Sequence, residues 1–233
     1  MISHLWKHEG REKDGALVRL FQYIIPYDRG FAPNPYWGCC TLATCKPGIR
    51  RQAEEGDWVV GVGSCGQKSA SRGKIVYAMR VAEALSFDDY ATDPRFQIKI
   101  PHSVNAKRAA GDNIYYRDSS GAWKQRPSLH DEGEKKRDLS GLRVLVATHF
   151  FYFGRAAKDV PPEFTQITEW VRNYRWKSFD PALVERFVEW LEQSCKPGVL
   201  ERPSSPPPVK LGTMSPESSH AVRRQKRNSD CSR

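Results

Sequence analysis

Hydrophobic residues are concentrated in a few runs of the chain, and each run is bounded by glycine, proline or charged residues. Residues 17–25 are aliphatic, aromatic and β-branched and stop at Pro26, which has no N–H to donate to a β-ladder. Residues 58–63 and 142–153 form two further runs, and residues 74–85 place hydrophobic side chains at alternating positions. The pattern predicts a strand at each of these four places, with residues 142–153 in the centre of a sheet.

Proline and aspartate positions indicate where helices begin. Residues 47–54, which start with a proline, are predicted as a helix of about two turns that follows a short strand at residues 39–44. Residues 162–176 are predicted as a second helix. Asp180 and Pro181 are typical of an N-cap and a first helical position, and the hydrophobic residues after them recur on one helical face. These elements predict an α+β fold with short helices and two C-terminal helices.

The other segments have little periodicity. Residues 86–138 are rich in charged residues, glycine, aspartate and asparagine, which predicts long connections with one short strand at residues 114–116. Residues 1–196 are long enough for a single domain with one core. Residues 197–233 are basic and rich in serine, proline and arginine, and they are predicted to be a disordered tail.

Charge and cysteine content narrow the possible partners. The chain has 37 Lys and Arg against 27 Asp and Glu, a formal net charge of +10, which favours a polyanionic partner such as nucleic acid. The chain has six cysteines, and no apolar leader follows Met1. Together these observations predict reduced thiols in a cytoplasmic protein. No hydrophobic run approaches the roughly 18 residues that a membrane helix needs.

Residues 27–64 are the strongest candidate for a site, because they combine turn formers, aromatic rings, short polar side chains and basic residues. Lys46, Arg50 and Arg51 lie around the start of the predicted helix, where free backbone N–H groups favour a phosphate. The alternative is a solvated helix face on which the arginines pair with Glu54 or Glu55.

The same segment has what recognition of a base requires, namely ring faces for stacking and polar groups for the base edge. The candidate residues here are Tyr27, Asp28, Asn34, Trp37, Thr41 and Thr44. Asp112, Asn113 and Tyr115 belong to a second polar and aromatic group that is predicted to close over the first as a lid. Alternatively, these polar residues only hold turns while the aromatic rings pack.

Acid–base catalysis has four candidate residues, which are Asp28, Asp57, Asp112 and His149. A nucleophilic thiol at Cys40 or Cys45 has a lysine close by, but the local spacing supplies no histidine or acid as its base. Cys39, Cys40 and Cys45 form neither a C-x-x-C pair nor a set with a following histidine pair, so no metal site is expected. No phosphate-loop or dinucleotide fingerprint is present, and no cofactor is expected.

Five strings resemble, in chain order, the bacterial and phage family called nucleotide modification associated domain, type two: GFAPNP, CTLATCKPGIRR, GDWVVG, GDNIYY and FFYFG. The resemblance extends from about residue 17 to residue 162 and implies a role connected with altered DNA bases. A weaker likeness at the level of the fold, a short helix leading into Gly-Asp and a strand, is to PUA, EVE and YTH domains. It implies a mixed β-barrel or a strongly curved sheet with an aromatic-lined cleft for a modified base.

Three functions remain open. The first is a module that binds a nucleotide or nucleic acid, stacks the base on Trp37 and holds phosphate with Lys46, Arg50 and Arg51. The second is an enzyme that acts on a nucleotide or a DNA base. In the third, only the basic tail contacts nucleic acid and the domain is a passive scaffold.

Overall fold

The computed structural model describes residues 18–64 and 71–208, which form an α+β fold. The strands are β1 (Leu20–Ile25), β2 (Cys40–Leu42), β3 (Trp58–Gly63), β4 (Ile75–Arg80), β5 (Glu83–Ser86), β6 (Tyr115–Arg117), β7 (Trp123–Gln125), β8 (Arg143–Ala147), β9 (His149–Tyr152), β10 (Tyr174–Arg175) and β11 (Gly198–Val199). The α-helices are α1 (Pro47–Gln52), α2 (Phe87–Thr92), α3 (Ala106–Ala109), α4 (Glu132–Leu139), α5 (Thr165–Thr168) and α6 (Pro181–Ser194). Short 3-10 helices lie at Pro94–Lys99, Gly154–Ala156 and Pro162–Phe164.

Most strands join one mixed sheet of six, in the order β10-β1-β3-β4-β9-β11. β1 and β3 are parallel, and so are β9 and β11, whereas the other neighbours are antiparallel. One face of this sheet packs on α6 through Leu183, Val184, Phe187 and Leu191. The predicted start of α6 is confirmed, because the Asp180 carboxylate accepts a hydrogen bond from the Ala182 N–H at 3.0 Å.

A second sheet of three antiparallel strands, β2-β8-β5, covers the other face, and β6 and β7 form a separate hairpin. The side chains between the two sheets form a core that includes Phe21, Ile49 and Leu145. The strands of the described residues form open sheets and no closed barrel. The α+β class is therefore confirmed, whereas the barrel is not.

Two segments were each predicted as one strand. In the structure, each of them forms two strands that belong to different sheets. Residues 142–153 divide at Thr148 into β8 and β9, and residues 74–85 divide into β4 and β5. At the second division, the Val81 N–H bonds to Asp57 in the large sheet and the Ala82 N–H bonds to Val146 in the small one. Hydrophobic pattern alone misses such a division, because side chains remain buried on both sides of it.

Residues 86–138 contain more regular structure than predicted: α2, a 3-10 helix, α3, β6, β7 and α4. Most of these elements have three to six residues, too few for a periodic pattern. A cap marks one of them, because the Ser86 hydroxyl accepts a hydrogen bond from the Asp89 N–H at 3.0 Å. The predicted strand at residues 114–116 corresponds to β6.

The C-terminal predictions need two corrections. Residues 162–176 do not form one helix but a 3-10 turn, α5 and β10, so α6 is the only full C-terminal helix up to residue 208, where the described chain ends. Residues 197–208 are ordered rather than tail, since β11 pairs with β9 and the Ser204 N–H donates to the Asp28 carboxylate at 3.0 Å. The rest of the predicted tail, residues 209–233, lies outside the described residues. Among the described helices, none has the length and apolar character to cross a membrane.

Candidate functional site

Cys45 lies in the connection between strand β2 and helix α1, and its backbone is in the left-handed region with φ of 57°. Lys46, the next residue, also has positive φ, at 38°. Two successive non-glycine residues in this region store strain of about 1–2 kcal/mol each. A reactive side chain on a strained turn from strand to helix is the arrangement of the nucleophile elbow in hydrolases. The cysteine side chain is half-buried at this turn.

Cys45, His130 and Asp138, hereafter the thiol site, form a linear chain of contacts. The Cys45 Sγ atom is 3.4 Å from His130 Nε2, and His130 Nδ1 is 2.6 Å from the Oδ2 atom of Asp138. The histidine thus contacts the thiol through one ring nitrogen and the carboxylate through the other. In enzymes with a nucleophilic serine or cysteine, this order makes the histidine a base that the acid orients.

The ionisation of His130 and Asp138 is strongly coupled. Burial disfavours the imidazolium, but the hydrogen bonds with Asp138 and Cys45 outweigh that effect and raise the pKa of His130 to about 10. Burial also opposes the Asp138 carboxylate, yet the hydrogen bond and charge of His130 and the hydrogen bond from Tyr115 lower the pKa of Asp138. The site therefore stabilises an imidazolium beside a carboxylate.

Asp138 is fully buried in the last turn of α4 and accepts four different contacts. Its Oδ1 atom accepts from the Cys45 backbone N–H at 2.9 Å, and its Oδ2 atom accepts from the Tyr115 hydroxyl at 2.9 Å as well as from His130. Its backbone carbonyl accepts from the Arg50 guanidinium. One residue thereby positions both the base and the strained backbone of the nucleophile candidate.

His130 is held by contacts to its ring and to its backbone. The edge of its ring meets the Phe31 ring, with centroids 4.9 Å apart. The Gln125 side-chain amide and the Ser128 hydroxyl both donate to the His130 carbonyl, at 2.7 and 3.1 Å. These contacts restrict the imidazole to an orientation in which Nε2 points towards Cys45.

Two buried oxygen atoms near the thiol site have no hydrogen-bond partner within the described residues. They are the Thr44 hydroxyl, one residue before Cys45, and Oε1 of Gln125, whose amide nitrogen bonds to His130. Unsatisfied buried polar atoms are rare in folded proteins and concentrate at functional positions. Their location supports a site at Cys45 and His130.

The thiol site also groups three potential metal ligands, because the ligand atoms of Cys45, His130 and Asp138 lie within 4.8 Å of one another. The sequence did not predict this set, since the local cysteine spacing lacks a partner histidine. A single ion would need one nitrogen of His130 to face both other ligands. The observed ring directs its two nitrogens at two different partners, which suits a proton relay better.

Many of the predicted site residues are buried scaffold instead. Asn34 accepts a hydrogen bond from the buried Lys99 ammonium at 2.7 Å, and Asp112 accepts from Thr41 at 2.6 Å and from Tyr90 at 2.7 Å. Burial raises the pKa of the Asp112 carboxyl. The structure brings Asn34, Thr41, Asp112 and Asn113 together in a buried network that fastens the loop of Asn34 to residues 99–113.

The three predicted phosphate ligands differ in their surroundings. Arg50 is fully buried and donates to the backbone carbonyls of Cys45, Arg143 and Asp138, so its guanidinium is committed inside the protein. Arg51 is exposed on α1. Lys46 is half-buried, with its ammonium 3.2 Å from the Asn173 carbonyl.

The predicted acid–base residues other than Asp112 are also structural. Asp28 is buried and accepts hydrogen bonds from the Tyr152 hydroxyl and the Ser204 N–H, and Asp57 forms an ion pair with Arg19 at 2.6 Å. The imidazole of His149 pairs with Glu192 of α6 on the outer side of the large sheet. The structure therefore does not bring these residues together.

Two of the predicted residues bond to the thiol site. The Tyr115 hydroxyl donates to the Asp138 carboxylate, and the Arg50 guanidinium donates to the backbone carbonyls of Cys45 and Asp138. Tyr27 and Trp37 are partly exposed. The sequence around Cys45 contains no histidine or acid that could act as its base, because His130 and Asp138 follow it by 85 and 93 positions. Only the fold brings these positions together, and no local motif marks them.

Comparison with protein families gives one finding. A family model described as nucleotide modification associated domain 2 matches residues 17–207, a range that includes the whole thiol site. Comparisons with curated proteins and with solved structures give no significant match.

Proposed function

This chain belongs to the nucleotide modification associated domain 2 family, and on that premise we propose that it is a cysteine-dependent enzyme that hydrolyses or transfers an acyl group carried by a nucleotide. The family is associated with nucleotide modification. The observation that supports an enzyme is the relay from Cys45 Sγ through His130 to Asp138, with contacts of 3.4 and 2.6 Å. A relay of this order is suited to acyl transfer, because the histidine first removes a proton from the nucleophile and later returns it to the leaving group.

In the first half-reaction, the nucleophile is the Cys45 sulfur as a thiolate beside the His130 imidazolium, which the raised pKa of His130 favours at neutral pH. The sulfur lone pair forms a bond to the carbonyl carbon of the acyl group, and the tetrahedral intermediate collapses as the carbon–nitrogen or carbon–oxygen bond to the nucleotide breaks. The departing atom keeps that electron pair and receives the proton from His130. Asp138 stabilises the imidazolium until this transfer and again when His130 takes up a proton in the second half-reaction.

In the second half-reaction, a water molecule or an acceptor amine attacks the thioester on Cys45. His130 takes a proton from the attacking group, the new bond to the acyl carbon forms, and the carbon–sulfur bond breaks. The sulfur leaves with the electron pair of that bond and the proton remains on His130, which restores the thiolate and the imidazolium. No oxidant, reductant or metal is required, and the enzyme ends in its starting state.

Contacts to the nucleotide are proposed for the accessible members of the predicted set. Tyr27 and Trp37 offer partly exposed rings for stacking, and Arg51 offers an exposed charge for phosphate. Lys46 follows the nucleophile in the chain and lies over the Tyr23 ring, with its ammonium 4.6 Å from the ring centroid. The buried members of the predicted set, such as Asp28, Asn34 and Arg50, are proposed to hold the surrounding loops in place rather than to contact the nucleotide.

The test incubates the protein with nucleosides and oligonucleotides that carry an acyl group on an exocyclic amine or on a hydroxymethyl group of the base. Intact-protein mass spectrometry is expected to detect the acyl mass on Cys45, and chromatography is expected to detect the deacylated base. The Cys45→Ala variant is the negative control, and Cys195→Ala, which removes another free thiol, is the matched positive control. If Cys45→Ala deacylates as fast as the wild type, the proposed chemistry is wrong.

The second candidate is a module that binds a nucleotide without changing it, as the half-exposed Trp37 beside Tyr36 suggests. Binding without turnover makes a distinct prediction: Cys45→Ala binds modified nucleotides as tightly as the wild type, and neither protein yields a product. Isothermal calorimetry on the two proteins, combined with product analysis, separates the two functions.

A further inference from the structure

We propose that Tyr36, Trp37, Lys107 and Arg108, hereafter the aromatic–basic surface, bind a single strand of nucleic acid. The surface shares no residue with the thiol site, and the proposal does not depend on the chemistry of Cys45. A free nucleotide satisfies the proposed function as well as a polymer does, whereas this proposal requires a polymer as the ligand.

The two rings stand at the tip of a narrow loop. Asn34 and Thr41 close this loop with a pair of backbone hydrogen bonds of 2.8 and 2.9 Å. Trp37 has positive φ, 63°, and its ring centroid is 5.5 Å from that of Tyr36. Because the base of the loop is tied to the buried network of Asn34, the rings are presented to solvent by a rigid support.

Three cationic side chains lie close to these two rings. The Lys107 ammonium is 5.1 Å from the Tyr36 centroid and 5.2 Å from the Trp37 centroid, and the Arg108 guanidinium carbon is 5.8 Å from the Trp37 centroid. The buried Lys99 ammonium is 5.7 Å from the same indole. Three cations thus converge on one side chain.

Lys107 and Arg108 differ from the buried Lys99, which has the Asp112 carboxyl as a charged neighbour. Within the described residues, Lys107 and Arg108 form no ion pair, and the Arg108 guanidinium donates to the backbone carbonyl of Ile98. Burial and the charge of Lys99 both lower the pKa of Lys107, as expected for like charges that are held together. A polyanion relieves this repulsion, and a net charge of +10 attracts one.

A single strand fits better than a duplex because the rings need accessible base faces. In a duplex the base faces are stacked on one another, whereas in a single strand they are free to stack on aromatic side chains. Lys107 is exposed on a flexible stem, so it can move from the rings to a phosphate while a base takes its place. Arg108 provides a second phosphate contact.

Fluorescence anisotropy of labelled twelve-nucleotide oligomers, measured with the full chain at several salt concentrations, tests the proposal. The probes are oligothymidine, oligouridine, a blunt duplex of the same length and a mononucleotide. Each phosphate contact on a single strand contributes about 0.7 to the slope of log affinity against log salt. The Lys107→Gln/Arg108→Gln variant is therefore expected to reduce that slope by about 1.4, and Trp37→Leu is expected to weaken binding at least about fivefold.

The matched control is Lys177→Gln/Arg172→Gln, which removes the same charge from exposed positions and includes another lysine that lies over an indole, that of Trp176. This control should keep the wild-type slope. An equal loss in both double variants would overturn the proposal, as would a duplex or a mononucleotide that binds as tightly as the single strands. Tighter binding of oligothymidine or oligouridine than of the duplex and the mononucleotide, with the slope reduced only in Lys107→Gln/Arg108→Gln, would support it. Unchanged binding by Cys45→Ala separates this proposal from the thiol chemistry.

Discussion

The carboxylate of Asp138 accepts a hydrogen bond from the backbone N–H of Cys45 and also orients His130, whose imidazole faces the Cys45 thiol. One oxygen accepts the Cys45 N–H at 2.9 Å, and the other is 2.6 Å from Nδ1 of His130. A single rigid group therefore fixes the distance between the sulfur and the imidazole. Precise placement of this kind is what a proton transfer between nucleophile and base requires.

The first prediction concerns Asp138→Asn. An amide has one acceptor oxygen, so it can serve either Cys45 or His130 but not both. Turnover of an acylated nucleotide is expected to fall about 10²–10⁴-fold, and the free energy of unfolding is expected to fall by about 1–3 kcal/mol. Urea denaturation and product analysis measure the two effects, and a variant with wild-type turnover would remove Asp138 from the site.

The second prediction concerns the reactivity of the thiols. Cys45 is expected to react with iodoacetamide at pH 7 faster than Cys195, because only the first of the two sulfurs lies beside the positive charge of the His130 imidazolium. In His130→Asn this advantage is expected to disappear while the rate at Cys195 is unchanged. Peptide mass spectrometry after timed alkylation gives both rates from one sample, and equal rates in the wild-type protein would contradict the relay.

The third prediction concerns the pH dependence of stability. Since the pKa of His130 is raised from 6.5 to about 10 in the folded state, its stabilising effect is complete below about pH 6.5 and is lost as pH rises towards 10. The lowered pKa of Asp138 has the opposite sign, so its contribution is present above about pH 4 and is lost as pH falls.

The difference in free energy of unfolding between wild type and His130→Asn should accordingly be largest between about pH 4 and 6.5 and should shrink as the pH approaches 10. Urea denaturation of both proteins across this range measures it. The variant His149→Asn, which alters a surface pair with Glu192, is the control. A difference that grew above pH 8 would contradict the assignment.

The fourth prediction separates Arg50 from Arg51. Arg50→Met removes the donor of three hydrogen bonds to buried backbone carbonyls, so it is expected to destabilise the fold by about 3 kcal/mol or more. Arg51→Met is expected to change stability by less than about 0.5 kcal/mol. Gly141→Ala should resemble Arg50→Met in direction, because its Cβ would lie 2.4 Å from the Arg50 guanidinium. Equal stability of the two arginine variants would restore Arg50 as a ligand-binding candidate.

The fifth prediction concerns Asp112, which was a candidate acid–base residue. Asp112→Asn disturbs the buried hydrogen bonds with Thr41 and Tyr90 and is expected to destabilise the fold by about 1–3 kcal/mol. Turnover per folded molecule is expected to remain within about twofold of the wild type, because none of the hydrogen bonds of Asp112 to described residues reaches Cys45, His130 or Asp138. A large loss of turnover without loss of stability would contradict its role as scaffold.

Local sequence patterns predicted the elements whose boundaries are set by residues close to them in the chain. The bounds of β3 match the predicted strand at residues 58–63, and α6 begins where Asp180 and Pro181 predict it. The division of residues 142–153 between two sheets depends on which strands lie alongside, and the sequence does not contain that information. The short helices of residues 86–138 are stabilised by packing rather than by their own periodicity.

The candidate site was predictable only in part for the same reason. The crowded segment of residues 27–64 does contain the nucleophile candidate, but the segment's polar residues mostly serve the interior. The side chains of Asn34 and Arg50 form hydrogen bonds with buried backbone carbonyls, and Asn34 also accepts a hydrogen bond from Lys99. In a sequence, polar residues with this role look the same as residues that contact a ligand. His130 and Asp138 lie far along the chain, in a region that was expected to be a loop.

The left-handed backbone at Cys45 also bears on substitution at this position. Glycine adopts positive φ without strain, whereas a cysteine at φ of 57° is strained by about 1–2 kcal/mol. Replacing Cys45 with glycine relieves that backbone strain and at the same time removes the sulfur that faces His130. Under the proposed thiol chemistry, backbone comfort and turnover are therefore opposed at this one position.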